Sequence, residues 1–196
     1  MAAAPCAFIL AGPNGAGKTS LYQHEAGDVP RLNGDTLYQQ GLTIHDIEAE
    51  LRRQLEQWVA HRTSFVIETN AASERDYALF EALKKSGYRL ECRFVCLQSA
   101  LDCEERVARR VQEGGHDVAP AFIKHRYDSG LSLLKRNYRR FDRLQLYDNS
   151  GEEPIEIMEF IPGSPLQLFN RMPQWAASIV AHITRMETLY AKLPTK

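Results

Sequence analysis

The run Gly12-Pro13-Asn14-Gly15-Ala16-Gly17-Lys18-Thr19, followed by Ser20, satisfies the phosphate-loop pattern in full. Glycines at 12, 15 and 17 permit backbone turns that a Cβ would forbid, so that successive N–H groups converge on an anion. Lys18 supplies a point charge for β- and γ-phosphates, and the Thr19 hydroxyl is placed to hold Mg²⁺. The apolar run Ala7-Phe8-Ile9-Leu10-Ala11 reads as a buried parallel strand, and the residues after Lys18 open a helix whose positive end faces the phosphates. The spacing predicts a nucleoside triphosphate site built from residues 12–20.

A phosphate loop does not choose a reaction, so the remaining polar residues must. Asp35 lies 17 residues beyond Lys18, after a short strand candidate at Arg31-Leu32-Asn33, where a carboxylate can take the proton of an attacking hydroxyl. The competing reading is a turn cap, since Asn33-Gly34-Asp35 is turn chemistry in its own right. Glu68 ends the apolar strand Ser64-Phe65-Val66-Ile67, and burying it requires a cation or hydrogen-bond donors, with Thr69 and Asn70 offering further polar contacts. Arg106, Arg109 and Arg110 precede Gly114-Gly115-His116-Asp117, which reads as a hinged basic lid over the triphosphate. Arg110 and Arg126 flank that hinge and are the favoured catalytic arginines, whereas His116 reads as a hydrogen-bonding residue. No Asn-Lys-x-Asp run for guanine and no Leu-Ser-Gly-Gly stretch occurs. What remains fits a small-molecule kinase.

The elements that must position these residues alternate along the chain. Ile44, Ile47, Leu51, Leu55 and Trp58 recur at helical steps, as do Tyr77, Phe80 and Leu83 before Gly87. Leu90–Leu97 reads as a strand and Leu101–Val111 as a helix, with Asp102 and Glu105 four residues before Arg106 and Arg109. Thr43, Ser73 and Ser99 each precede an aspartate by three residues, the spacing of an N-cap with an acidic first turn. A helix at 121–137, a strand at 144–147, a half-exposed strand at 155–160, a loop at 162–165 and a closing helix at 175–189 complete the pattern. It predicts an α/β fold with a parallel sheet covered by helices on both faces and an antiparallel edge near the C-terminus. Ligands in such sheets sit beyond the carboxyl ends of the strands, so residues 12–20, Asp35 and Glu68 should converge.

With 196 residues and 44% hydrophobic content the chain supports one sizeable core, read as a single domain with its core at 5–161 and a C-terminal helix at 173–192. A net charge of −1, from 24 basic and 25 acidic residues, gives no global field for gripping nucleic acid. Cys6, Cys92, Cys96 and Cys103 lack zinc spacing and read as free thiols of a reducing cytoplasm. The apolar start lacks a basic leader and runs straight into the phosphate loop, and no stretch approaches membrane-spanning length.

Taken together, Ala11–Ser20, Asn33-Gly34-Asp35, Phe65–Thr69, Arg110–Asp117, Arg126-Tyr127 and Leu146–Gly151 resemble, in order, the zeta-toxin family of P-loop kinases in its shorter bacterial branch. The resemblance implies an ATP- and Mg²⁺-dependent kinase whose acceptor is a sugar hydroxyl of UDP-N-acetylglucosamine, and an antitoxin protein as partner. It implies Asp35 as the catalytic aspartate, Lys18 as the P-loop lysine, Glu68 and Thr69 in the substrate pocket, and Arg110 and Arg126 near the ATP phosphates. The chain is shorter than the archetypal toxins and lacks a legible sugar-binding segment. Kinases of another metabolite, a nucleoside or a polynucleotide end, and a non-kinase P-loop ATPase or binding module, are the alternatives.

Overall fold

The computed structural model describes residues 3–25, 29–34, 37 and 41–193. Among the described residues seven strands form one sheet, in the order β2-β3-β1-β4-β5-β6-β7. They are β1 (Cys6–Ala11), β2 (Arg31–Leu32), β3 (Phe65–Thr69), β4 (Arg89–Cys96), β5 (Arg143–Asp148), β6 (Ile155–Phe160) and β7 (Gln167–Leu168). The first five run parallel; β6 and β7 are antiparallel. Registers Ala11↔Thr69, Ala11↔Phe94 and Cys96↔Asp148 bring the carboxyl ends of the four longer parallel strands to one rim. That is the ligand-binding edge of an open parallel sheet.

Alternation along the strands separates two buried layers. Ala7, Ile9, Phe65, Ile67, Leu90, Cys92 and Phe94 face the larger one, which packs against α2 (Ile44–Ala60), α3 (Glu74–Lys85), α5 (Pro120–Asn137) and α6 (Gln174–Tyr190). Leu10, Val66 and Val95 face the opposite way and meet Leu21 of α1 (Lys18–Glu25). Helices therefore cover both faces. Aromatic rings fasten the larger layer: Trp58 stacks on Phe65 at 5.3 Å, and Phe80 meets Phe141 at 5.8 Å.

Helix boundaries follow the local chemistry. The hydroxyls of Thr43, Ser73 and Ser99 accept the backbone N–H of Asp46, Asp76 and Asp102, at the starts of α2, α3 and α4 (Ala100–Gln112). Ser73 and Asp76 complete a capping box. Gly87, at φ +81°, closes α3, with Gly87 N–H donating to Lys84 O and Tyr88 N–H to Leu83 O. One strand expectation is revised, and one strand was not expected. β6 is largely buried from Ile157 to Phe160, because Ile157, Met158 and Phe160 join the larger core and Glu159 is held by Arg143. β7 itself, two exposed residues after the Pro/Gly loop, has no periodicity to announce it. Arg106, four residues after Asp102, donates to the backbone oxygen of Asn149, while Asp102 accepts from Ser99 at the cap.

All four cysteines are unpaired. Burial pushes the thiols up, those of Cys6 and Cys103 to about 12, so they stay protonated near neutrality.

Candidate functional site

The turn from β1 into α1 forms the centre of the site. Gly12 adopts φ +140°, and a Cβ there would lie 2.1 Å from the carbonyl oxygen of Val95 in β4. Gly17 adopts φ +92°, and its Cβ would lie 2.1 Å from the amide nitrogen of Asn149. Both positions are closed to any side chain by space as well as by backbone angle. The Lys18 side chain folds back along the loop, its Nζ donating to Gly12 O at 2.8 Å and Pro13 O at 3.1 Å, and only 8% of the residue is exposed. A cationic head held against its own loop at the N-terminus of a helix is the geometry that receives β- and γ-phosphates. Thr19 and Ser20 are exposed beside it.

Across the loop stands Glu68, at the end of β3, its side chain 10% exposed. Arg31 from β2 pairs with the Glu68 carboxylate and reaches within 3.5 Å of the Thr19 hydroxyl; Asn33 Nδ2 donates to the same carboxylate at 3.2 Å. Arg31 was missed by sequence reasoning, because one charged residue in a two-residue strand carries no pattern. Thr69 Oγ1 donates to Asp76 Oδ1 at 2.8 Å and accepts the Ala71 N–H at 3.0 Å, tying the end of β3 to the start of α3. Beside it the Asn70 side-chain oxygen is buried with no hydrogen-bond partner. Asp35, the predicted base, lies outside the described residues; Gly34 before it lines the cleft next to Glu68.

The predicted arginines approach from α4 and α5. Arg126 Nη1 donates to Asn14 Oδ1 at 2.7 Å, which joins α5 to the phosphate loop across 112 residues. Arg110 Nη2 donates to His116 O at 2.6 Å, and its Nε is buried without a partner. A Cβ on Gly115 would lie 2.5 Å from Arg110 Cγ, so the loop after α4 is wrapped closely around that side chain.

Two cavities meet at the loop. One of about 750 Å³ is bounded by the loop, by Arg106, Arg109 and Arg110 of α4, and by residues 151–154 between β5 and β6. The other, of about 220 Å³, lies between Asn33, Asn70, His116 and Arg126. Asn14, Lys18 and Glu68 line both. A groove of about 500 Å³, floored by Leu51, Leu55, Ile67 and Leu79, continues from Glu68 and Thr69 between α2 and α3.

The residues fit a magnesium nucleotide. Its phosphates find a cradle that a Cβ would fill, and the orphaned Arg110 Nε offers a buried donor at the cavity wall. Mg²⁺ takes hard oxygen donors, which the Thr19 hydroxyl and the Glu68 carboxylate supply. Among the described residues no cluster of three His, Cys, Asp or Glu side chains occurs.

No protein-family model and no curated protein matches the chain. Solved structures do. The AvrRxo1-ORF1:AvrRxo1-ORF2 complex with sulphate ions superposes at TM-score 0.66 and 14% identity, covering 98% of this chain and 66% of the other. The same complex with ATP gives 0.65 and 15% identity over 92% of this chain and 63% of the other. The PezAT chromosomal toxin–antitoxin system of Streptococcus pneumoniae gives 0.60 and 15% identity over 97% and 89%. The fold is zeta-toxin-like. The chain spans about two thirds of the length of the AvrRxo1 chain it matches. At these identities the likeness establishes the zeta-toxin-like P-loop architecture, with its mostly parallel sheet and antiparallel C-terminal edge.

Proposed function

We propose that the protein is an ATP- and Mg²⁺-dependent kinase that phosphorylates a hydroxyl of a small molecule. The observation that carries this reading is the pair of cavities meeting at Asn14, Lys18 and Glu68. An ATPase needs one cavity and water; a kinase needs a second, built space where an acceptor meets the γ-phosphate in line. The ATP-bound neighbour of the same fold supports the nucleotide.

In this reading residues 12–20 hold the triphosphate, with the Thr19 hydroxyl reserved for Mg²⁺. Lys18 leaves the carbonyls of Gly12 and Pro13 for the phosphates. Bound Mg²⁺ would neutralise charge on the β- and γ-phosphate oxygens. Arg110 and Arg126 bring positive charge to the transferring group from two helices. Glu68, oriented by Arg31 and Asn33, and Thr69 bound the acceptor, and Asp35 takes the hydroxyl proton. The mainly polar lining of the smaller cavity favours a polyhydroxylated acceptor, and the apolar groove beyond leaves room for a larger substituent. UDP-N-acetylglucosamine, which the family resemblance implies, is the first acceptor to test, and the chain is read as one catalytic domain. An antitoxin-like partner is part of the reading, because the PezAT system is a toxin–antitoxin pair. No helix among the described residues is long and apolar enough to cross a membrane. Its ATP would come from the cytoplasm.

The test is ADP release with Mg·ATP across a panel of UDP-sugars, nucleosides and small polyols, with the phosphorylated product identified by mass. Acceptor-dependent release with one phosphate added supports the kinase. Hydrolysis at one rate whatever is added supports the ATPase alternative.

A further inference from the structure

Asn149 follows the last residue of β5 and is 95% buried, although it lies outside any strand or helix. Its backbone N–H donates to Cys96 O at 2.9 Å, which prolongs the parallel pairing of β4 and β5 by one residue. Its backbone oxygen accepts from Arg106 Nη2 of α4 at 2.6 Å. The main chain is held at both groups, and burial leaves the side chain little freedom. Its Nδ2 donates to Ala16 O at 2.8 Å and closes the space beside Gly17, with Arg106 Nη1 3.7 Å from the same point.

The peptide between Ala16 and Gly17 has two orientations of opposite polarity. In the one observed, the Ala16 oxygen points at Asn149 and the Gly17 N–H is turned the other way. Rotation of this peptide would exchange the two and aim a carbonyl at the phosphate position. Glycine at 17 makes such a rotation sterically cheap. A single buried donor on the correct side opposes it, because the flip would strand both the amide and the carbonyl.

We propose that Asn149 is the positioning residue that locks the Ala16–Gly17 peptide in its anion-receiving orientation, coupling the phosphate loop to Arg106 and to the end of β5. This rests on the kinase reading only in requiring that the loop bind nucleotide phosphates. Pyrophosphate and adenosine separate the two halves of the ligand. Each is used to displace a fluorescent ADP analogue from the wild type, Asn149→Leu and Asn149→Asp. The leucine removes the donor at nearly constant size, and the aspartate turns an acceptor toward Ala16 O. Both should weaken pyrophosphate at least about tenfold, the scale of one buried hydrogen bond left unmade, and leave adenosine within about threefold. A structural role alone would lower the melting temperature of the empty protein without separating the two competitors. Pyrophosphate affinity within twofold of wild type, or equal losses for both competitors, overturns the proposal. Should Asn149→Leu not melt cooperatively, Asn149→Ser, which leaves more space than it fills, decides by the same titration. Wild-type protein that binds no nucleotide overturns the kinase reading together with this one; normal wild-type binding with unaltered variants overturns this one alone.

Discussion

The proposed kinase gives Lys18 and Asp35 separable tasks, and single substitutions would distinguish them. Lys18→Ala removes the only charge that projects from the loop itself, so phosphoryl transfer should fall about 10²–10³-fold, the cost of one transition-state donor. Far-ultraviolet circular dichroism should stay unchanged; wild-type turnover by the variant would refute the assignment. Asp35→Asn keeps shape but takes no proton. Mg·ATP affinity by calorimetry should be retained while transfer to the acceptor drops roughly 10²–10⁴-fold. Transfer at the wild-type rate would reduce Asp35 to a turn residue. The loop residues were legible because each is dictated by a contiguous motif. Arg31 and Asn149 were not, for a physical reason: Arg31 meets Glu68 across 37 residues and Asn149 meets Ala16 across 133, through pairings that exist only once the sheet has formed.

At the level of elements, the end of α4, the loop at 113–117 and the start of α5 act together. Arg110 holds the loop through His116 O, and Arg126 holds α5 to Asn14; in the proposed kinase both arginines would exchange these partners for phosphate oxygens. Hydrogen exchange across 109–118 should slow when a non-hydrolysable Mg·ATP analogue binds. Equal exchange with the analogue demonstrably bound would exclude a nucleotide-responsive lid. Gly115→Ala must displace Arg110, since its Cβ would also lie 2.9 Å from Arg110 O; kcat should drop several-fold more than nucleotide affinity. An unchanged kcat would show that Arg110 moves freely. The three serine or threonine caps were legible, because their contacts are local. The burial of β6 was not. Its alternation implied one wet face, whereas Ile157, Met158 and Phe160 all join the larger buried core and Glu159 is held by Arg143.

For the whole molecule, binding at the rim must report on the stability of the sheet. The phosphate loop is the direct continuation of β1, which pairs with β3 and β4 at the centre of the sheet. Asn149 continues β5, and Asp148 accepts from Trp175 Nε1 of α6 at 3.1 Å, so the rim is tied to the helix that closes the larger core. A ligand that grips this rim binds the folded chain and not the unfolded one. At one hundred times its dissociation constant it adds about 2.7 kcal/mol of stability. For a chain of this size each kcal/mol corresponds to about 2–4 °C, so Tm should rise by about 5–11 °C with a non-hydrolysable Mg·ATP analogue. Lys18→Ala, melted at the same analogue concentration, should lose most of that rise while its ligand-free Tm stays within a few degrees of wild type. The correct acceptor should add a further rise, larger with the analogue present than without it, because the two cavities share Asn14, Lys18 and Glu68. An acceptor that stabilises equally with and without the analogue would place its site elsewhere on the molecule. A wild-type Tm indifferent to Mg·ATP analogue at any concentration would remove the nucleotide site itself.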